Sequence, residues 1–382
     1  KMRDNFNAFW LSERTSAATQ LDDVATVLLE AQASAADLSL PSRPYSERMH
    51  TLALMVQDGG KVMQALGVYL NLVGYIGFYA DLPEKHEEEA SSRARASNAV
   101  YQIISQAQHT VLLQTPYLVM SRMARQTFRG IQKREQPVRV WVSTNSLAST
   151  DAFPVYALSH KYKRLYLKEL GFRIYEFKPF PESAFMRVGQ SIGWIDKQEL
   201  EATDMPTLFG YAGYADPDDA EPVPLEKQGM RVGLHAKSMV VDDRLAVIGS
   251  HNFDPRSDDY NTESMLVIDD AEFAGRLSAS IRQDMRPDNA WIIAPRESLP
   301  ALADFNYTMG KLSEQLPIFD IWPWPYATSY QLKPECSEVT YDDPRFTACA
   351  EPVGDFPEVN MSMKAVYTRI ITAFGAGLEP IL

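Results

Sequence analysis

The sequence predicts an α/β fold, a mixed sheet flanked by helices on both faces. Two observations carry this. Across residues 94–177, short apolar β-branched stretches alternate with amphipathic stretches of helical length, the signature of strands covered on both sides. Further on, a β-branched run ending at Val241, a polar Asp242-Asp243-Arg244 turn and an apolar stretch over 245–248 read as a hairpin. The composition, 45% hydrophobic and 11% aromatic, is that of an ordinary globular protein, and 382 residues suffice for one large domain with additions or for two.

In chain order, FNAFW at 6–10 reads as the end of an amphipathic helix within residues 1–30. The plain alternative is an N-terminal helix that docks its aromatics on a core. Residues 31–93 are expected to form a helical connecting segment. Within it, 62–82 (VMQALGVYLNLVGYIGFYADL) is the most apolar run of the chain. It is about long enough to span a bilayer, but Gln64, Asn71 and three interior glycines weaken that reading. Tyr69, Tyr75, Phe78 and Tyr79 suit a surface dipping into a headgroup layer, while a core helix followed by a buried loop is the simpler reading. The charged stretch 84–95 reads as a solvated helix start.

Residues 94–320 carry the main pattern. Helices are expected over 96–107, 120–134 and 151–170, and strands over 110–114, 138–143 and 172–177. Residues 180–225 are rich in Pro, Gly and Asp, acidic at 216–221, and read as an inserted loop. After the hairpin come a strand at 264–268 and helices at 270–285 and 299–316. Residues 321–382 form a C-terminal extension. Its approach, 317–330, is proline-interrupted and therefore extended, and Trp322 and Trp324 there suit either a membrane interface or packing on the domain. A last helix runs over 362–374, with Gly375 placed to end it.

Two cysteines, Cys336 and Cys349, lie 13 residues apart, either as buried free thiols or as a bridge that implies an oxidising compartment. Their spacing is not that of a zinc site. The net charge of −13 argues against broad contact with a phosphate backbone, so no nucleic-acid partner is expected.

The chemistry concentrates in residues 233–257, GLHAKSMVVDDRLAVIGSHNFDPRS. His235 and Lys237 are two apart on an extended segment and so share a face, pairing an imidazole with an ammonium at one anion-sized site. Asp242 falls on the opposite parity, at the turn. Gly249-Ser250-x-Asn252 follows, then Arg256-Ser257, Asn261 and Glu263. Singly these residues have plain readings: a core histidine, a snorkelling lysine, a glycine turn. Their order and spacing together favour a site.

The H-x-K-x4-D pattern with its trailing Gly-Ser-x-Asn resembles the catalytic motif of the phospholipase D superfamily. QTPYLV at 114–119, STNSLASTD at 143–151 and YEFK at 175–178 are similar to bacterial cardiolipin synthases, so the likeness covers roughly 94–320 and the order of one catalytic half. The loops at Asn145-Ser146 and Thr150-Asp151 follow a strand and precede a helix, where ligands of open sheets collect. The resemblance implies a phospholipase D-like sheet and phosphatidyl transfer or hydrolysis through a phosphohistidine, with neither metal nor other cofactor. It assigns His235, Lys237, Asp242 and Glu263 to catalysis, with Glu263 orienting the imidazole. Lys237, Ser250 and Asn252 would bind phosphate, and Arg256, Ser257 and Asn261 would support the loop. The substrate implied is a phospholipid such as phosphatidylglycerol, met by peripheral contact with a membrane of the bacterial envelope. The alternatives are a hydrolase releasing phosphatidic acid and a phosphodiesterase nuclease of the same superfamily.

The other histidines are His50, His86, His109, His160 and His251, and none begins a second H-x-K; His160-Lys161 lacks the intervening residue. A two-histidine site therefore needs either a second copy in a homodimer or another catalytic half. In relatives of the second kind an aromatic-rich helix follows the first motif, so FNAFW reads as the tail of that first half.

Overall fold

A computed structural model describes residues 1–17, 20–21, 54, 56–67, 71–86, 95–182, 223–227, 231–296, 325–336 and 339–375. The expectations for 216–221, for the 299–316 helix and for Trp322 and Trp324 lie outside the described residues, as does nearly all of the 180–225 loop. Contacts divide the chain into two compact units, 1–72 with 186–210, and 73–185 with 211–382.

In the first unit, α1 (Met2–Trp10) is the amphipathic helix that FNAFW announces, and α2 (Gly59–Gly67) takes the start of the apolar run. Phe6 stacks on Trp10 with ring centroids 5.7 Å apart, one helical turn along. α1 buries none of its residues.

The described residues of the second unit form a ten-stranded mixed sheet. In chain order the strands are β1 (Tyr75–Ala80), β2 (Thr110–Gln114), β3 (Arg139–Asn145), β4 (Phe172–Phe177) and β5 (Ser238–Val241). They continue as β6 (Leu245–Gly249), β7 (Ser264–Asp269), β8 (Ala290–Pro295), β9 (Ala327–Leu332) and β10 (Ala350–Gly354). Their order across the sheet is β1-β7-β6-β5-β2-β3-β4-β8-β9-β10. Only β2, β3 and β4 pair in parallel, joined by helical crossovers; the rest pair antiparallel.

Alternation along each strand feeds two cores. Val111, Leu113, Val140, Val142, Met239 and Val241 pack with Ile104 of α3 (Arg95–Gln106) and Phe128 of α4 (Arg122–Gln132). On the other face, Leu112, Val240, Ala246 and Ile268 pack with Ala274 and Ile281 of a helix over Ala271–Asp284. Helices on both faces of a mixed sheet are what the sequence predicts.

Several elements differ from expectation. Residues 31–93 are not wholly helical, because Tyr75–Ala80 pairs with β7 as the sheet's outermost strand. A short apolar run does not distinguish a strand from a helix, and here the register with β7 decides. The same run is divided between a nine-residue helix and a strand, and among the described residues no helix is long and apolar enough to cross a membrane. The 151–170 helix is broken: α5 (Phe153–Lys161) ends at Tyr162, and a π-helical turn spans Leu165–Glu169. The 84–95 stretch is not merely a solvated helix start, since Lys85 is buried. His160, at the end of α5, lies among Tyr156, Phe356 and Tyr367, and burial pushes its imidazole pKa well down. It is a core histidine. Cys336 and Cys349 form a disulfide, Cα–Cα 5.8 Å, which closes a short loop worth about 3 kcal/mol.

The β5–β6 turn shows what Asp242 does. Asp242 and Asp243 both take φ of 51°, a conformation that short polar side chains tolerate. The Asp242 carboxylate accepts the backbone N–H groups of Gln108, His109 and Thr110, each at 2.8 Å. Burial pushes this carboxyl up, but the three bonds outweigh it and hold the pKa below the ordinary value. Asp242→Ala is expected to cost about 1–2 kcal/mol. That contribution is full above the ordinary carboxylate pKa of about 3.9 and is lost as pH falls through the lower folded value. Urea midpoints of wild type and variant should therefore differ at neutral pH and converge in acid; a gap that persists in acid refutes the assignment.

Candidate active site

Antiparallel entry of β5 beside parallel β2 and β3 brings three loops to one end of the sheet: 115–117 after β2, 146–151 after β3, and 233–237 before β5. The loop after β6, 250–254, joins them, because Ile248 pairs with Ser238. Sites of open sheets form at such an end.

His235 and Lys237 meet there, in the segment that leads into β5. Lys237 Nζ lies 3.3 Å from His235 Nδ1 and 3.4 Å from Nε2, and donates to the His235 carbonyl at 3.0 Å. The Tyr117 ring stands edge-on to the imidazole at 6.2 Å and lies 5.9 Å from the ammonium. Tyr117 in turn donates its hydroxyl to Asp151 at 3.0 Å. Burial pushes the Lys237 pKa down, against the opposing fields of Glu263, Asp151 and Asp254.

Asn145 holds this segment in place. Its Oδ1 accepts the Leu234 N–H at 2.8 Å and its Nδ2 donates to the Leu234 carbonyl at 2.9 Å, so both backbone groups next to His235 are clamped. Ser149 supports the clamp, donating to Phe177 O at 2.9 Å and lying 3.2 Å from Asn145 Oδ1. Gly233 is needed here because a Cβ would stand 2.6 Å from the Ser149 carbonyl. Gly249 is needed for a like reason: its Cβ would meet the Ser264 carbonyl at 2.5 Å, and its N–H donates to Lys237 O at 3.1 Å. The sequence singles out the 145–151 loop as a ligand loop; its first task is to fix the motif's backbone.

Ser250 and Glu263 are joined to each other. Ser250 Oγ donates to the Glu263 carboxylate and accepts the Ser264 N–H at 3.0 Å. Among the described residues, the hydrogen bond recorded for the Glu263 carboxylate is to Ser250 rather than to His235. Asn252 donates its backbone N–H to the buried Ser257 hydroxyl at 3.0 Å, while its own Oδ1 is buried without a hydrogen-bond partner. Asp254 caps the short helix α6 (Pro255–Asp259), accepting the Ser257 N–H at 2.6 Å. Burial pushes the Asp254 carboxyl above its ordinary value, against the bonds from Ser257. Arg256 is exposed and lines, with Asn252, Asp254 and Asn261, a cavity of about 210 Å³.

Asp242, read as part of the catalytic set, is not in this cluster. A strand advances about 3.3 Å per residue, so it lies roughly 16 Å beyond Lys237, at the opposite end of β5.

Sequence reading missed the polar frame beneath the loop. Lys85 donates to Asp81 at 2.7 Å and to the carbonyls of Ser257 and Asn261 at 2.7 and 2.6 Å. Asp81 also accepts the Glu263 N–H at 3.0 Å. Beside it, the Phe253 N–H donates to His251 Nδ1 at 2.9 Å, which leaves Nε2, 3.1 Å from Asp258 Oδ1, to carry the ring proton. Tyr101 donates to the same carboxylate at 2.9 Å. Burial raises the Asp258 pKa, and hydrogen bonds led by that from His251 bring it below the ordinary value. No local motif announces the long-range members of this frame, Lys85 on the carbonyls at 257 and 261, Asp81 on Glu263 and Tyr101 on Asp258.

Residues 215–285 match the family model described as cardiolipin synthase, PLD-like domain. Cardiolipin synthase C of Escherichia coli strain K12 is 25% identical over 292 residues, covering 75% of this chain and 52% of that protein. An uncharacterized protein of Helicobacter pylori strain J99 is 26% identical over 205 residues, covering 54% of this chain and 32% of that protein. Among solved structures, Nuc from Salmonella typhimurium, described as a phospholipase D family member, is 14% identical with a TM-score of 0.33, over 56% of this chain and 94% of that one. The chain spans about a third to a half of the length of these two curated relatives.

Proposed function

We propose that this chain, which belongs to the phospholipase D superfamily and stands close to its cardiolipin synthases, moves a phosphatidyl group between alcohols through a phosphohistidine. The observation that carries the reading is the His235–Lys237 pair, with an ammonium 3.3 Å from an imidazole at the loop end of the sheet. A phosphodiester shields its phosphorus with anionic oxygens. The reaction therefore needs fixed positive charge beside the nucleophile, and Lys237 supplies it.

The reaction uses two imidazoles. A nitrogen of one bonds to phosphorus as the P–O bond to the leaving alcohol breaks, and the other gives that alcohol its proton. In the second step an acceptor hydroxyl oxygen bonds to phosphorus, the P–N bond breaks, and the hydroxyl proton passes to the second imidazole. His235 is one of the pair. A second H-x-K segment, in another catalytic half or another copy of the chain, brings the other. Asn252 and Lys237 hold the non-bridging oxygens, while Ser250 ties Glu263 into the loop that carries Asn252. Substrate at a membrane surface places the protein peripherally on the bacterial envelope.

The test is to incubate the intact protein with vesicles of phosphatidylglycerol and separate the lipid products. Cardiolipin with release of glycerol is the expected result. Phosphatidic acid alone would replace transfer by hydrolysis, and cleavage of an oligonucleotide without lipid turnover would overturn the lipid reading.

A further inference from the structure

We infer that the sheet face carrying the helix over Ala271–Asp284 holds a second anion site, formed by Arg139, Arg173 and Arg282 around Trp141, and that its ligand is a phosphate monoester. The inference is independent of the chemistry at His235 and Lys237.

Three elements bring the cluster together. Trp141 of β3 lies in register between Leu112 of β2 and Arg173 of β4, so the three side chains share a face. Arg139, two residues earlier on β3, is on the same face. Arg282 reaches the ring from the last turn of the helix over Ala271–Asp284. The guanidinium carbons of Arg139, Arg173 and Arg282 stand 5.5, 5.3 and 5.2 Å from the Trp141 ring centroid, so no two are more than twice that apart, about 11 Å. Along β3, Trp141 is roughly 13 Å from Asn145, which sets the cluster apart from the His235 loop.

The charges do not cancel. Arg173 is forked onto the Asp342 carboxylate, Nε to one oxygen and a terminal nitrogen to the other. Among the described residues no ion pair engages Arg139 or Arg282. Acids on or just past the helix are taken elsewhere: Glu272 by Arg276, Asp284 by the Gln114 amide and Asp288 by Arg286. Three guanidiniums against one carboxylate leave two positive charges on one indole, in a chain whose net charge is −13. Arg139 and Arg282 are exposed, so an anion in solution or on a surface reaches them. Two residues past Arg173, burial pushes the Tyr175 phenol up to about 12 against the fields of Arg173 and Arg282, so it remains a donor beside them.

The cluster then selects its ligand. A guanidinium stacked on an indole uses its π face and keeps its N–H groups, which lie in its plane, for an acceptor. Arg282 makes one long bond, 3.4 Å to Ser278 Oγ. A phosphate monoester carries close to two negative charges and three terminal oxygens, which matches the two uncancelled charges and lets forks from different directions bind at once. A carboxylate brings half that charge, a cationic headgroup is repelled, and an acyl chain leaves the donors unanswered.

Titration calorimetry of inorganic phosphate into the intact protein at low salt tests the site. Lys237→Met is the background, because it removes a phosphate ligand of the His235 site. Adding Arg139→Gln and Arg282→Gln should weaken phosphate binding at least about tenfold, as loss of two charge-assisted partners requires. Both arginines are exposed, so the unfolding free energy should barely change. Arg129→Gln with Arg244→Gln removes the same charge elsewhere and should leave binding within about twofold. Arg282→Lys, which keeps the charge but not the planar fork, should lose about threefold to tenfold. Pelleting with phosphatidylcholine vesicles that contain phosphatidic acid separates the two sources of the ligand. Pelleting abolished by the Arg139 and Arg282 substitutions assigns a lipid headgroup, and phosphate binding without such pelleting assigns a soluble ester. Absence of both, or binding and pelleting that survive those substitutions or fall equally in the Arg129 and Arg244 control, overturns the site.

Discussion

His235→Ala is expected to lower phosphodiester turnover by at least about a thousandfold, because it removes one of the two imidazoles that the reaction needs. His235 is exposed and lends its side chain to no core, so the unfolding free energy from urea titration should change by less than about 0.5 kcal/mol. The pairing of a large kinetic loss with an unchanged midpoint separates chemistry from folding. Lys237→Met should fall in the same direction with a similarly small change in stability, since Lys237 is bound to His235 and otherwise faces the site. The measurement is single-turnover cleavage of a phosphatidyl donor by the intact protein. Turnover in His235→Ala above a tenth of wild type would place the chemistry elsewhere.

What the sequence made legible follows physical lines. The β5–β6 hairpin could be read because a β-branched run meets a polar turn and an apolar return, a signal wholly local to 238–249. The crossover region could be read because helical and strand periods alternate over 95–177. His235 and Lys237 were readable as neighbours because a two-residue step preserves the face of an extended chain. The same geometry explains the misplacement of Asp242. The H-x-K-x4-D spacing joins three residues in text, but β5 stands between the first two and the third and carries the aspartate to the far end of the sheet, where it staples the turn to the start of β2.

The remaining differences come from partners that are distant in sequence. YIGFYA at 75–80 continues an apolar helical run and becomes a strand only because β7 offers it an edge. AWIIAP at 290–295 follows a helix closely, and it is the register against β4 and β9 that makes it β8. Asn145 could be suspected from its place at the end of β3, yet its partner, the backbone of Leu234, is 89 residues away. Lys85 sits in a stretch of charges whose ordinary fate is solvent. Its acceptors at 257 and 261 enter only once the chain has folded.

That lysine gives the largest expected effect on stability. The Lys85 and Asp81 side chains are 2% and 0% exposed, so neither charge is screened by water. All three ammonium hydrogens have an acceptor, in Asp81, Ser257 O and Asn261 O. Asp81 is equally committed, to Lys85 and to the N–H groups of Ala96 and Glu263. Lys85→Met would leave a buried carboxylate without its counter-charge and two carbonyls without a donor, at a cost of about 3–5 kcal/mol. At this chain length that lowers the melting temperature by roughly 5 °C. Asp81→Asn strands the ammonium and should cost a similar amount, whereas the double variant should cost clearly less than the sum, because the second change removes the charge that the first left unpaired. Additive losses would show that the two groups act separately. The frame also reaches the site, since the carbonyls at 257 and 261 and the N–H of Glu263 fix the loop that ends on the carboxylate bonded to Ser250. Below its lowered melting temperature, Lys85→Met should therefore lose turnover as well, by about tenfold to a hundredfold, as the loop loosens around an otherwise intact His235–Lys237 pair.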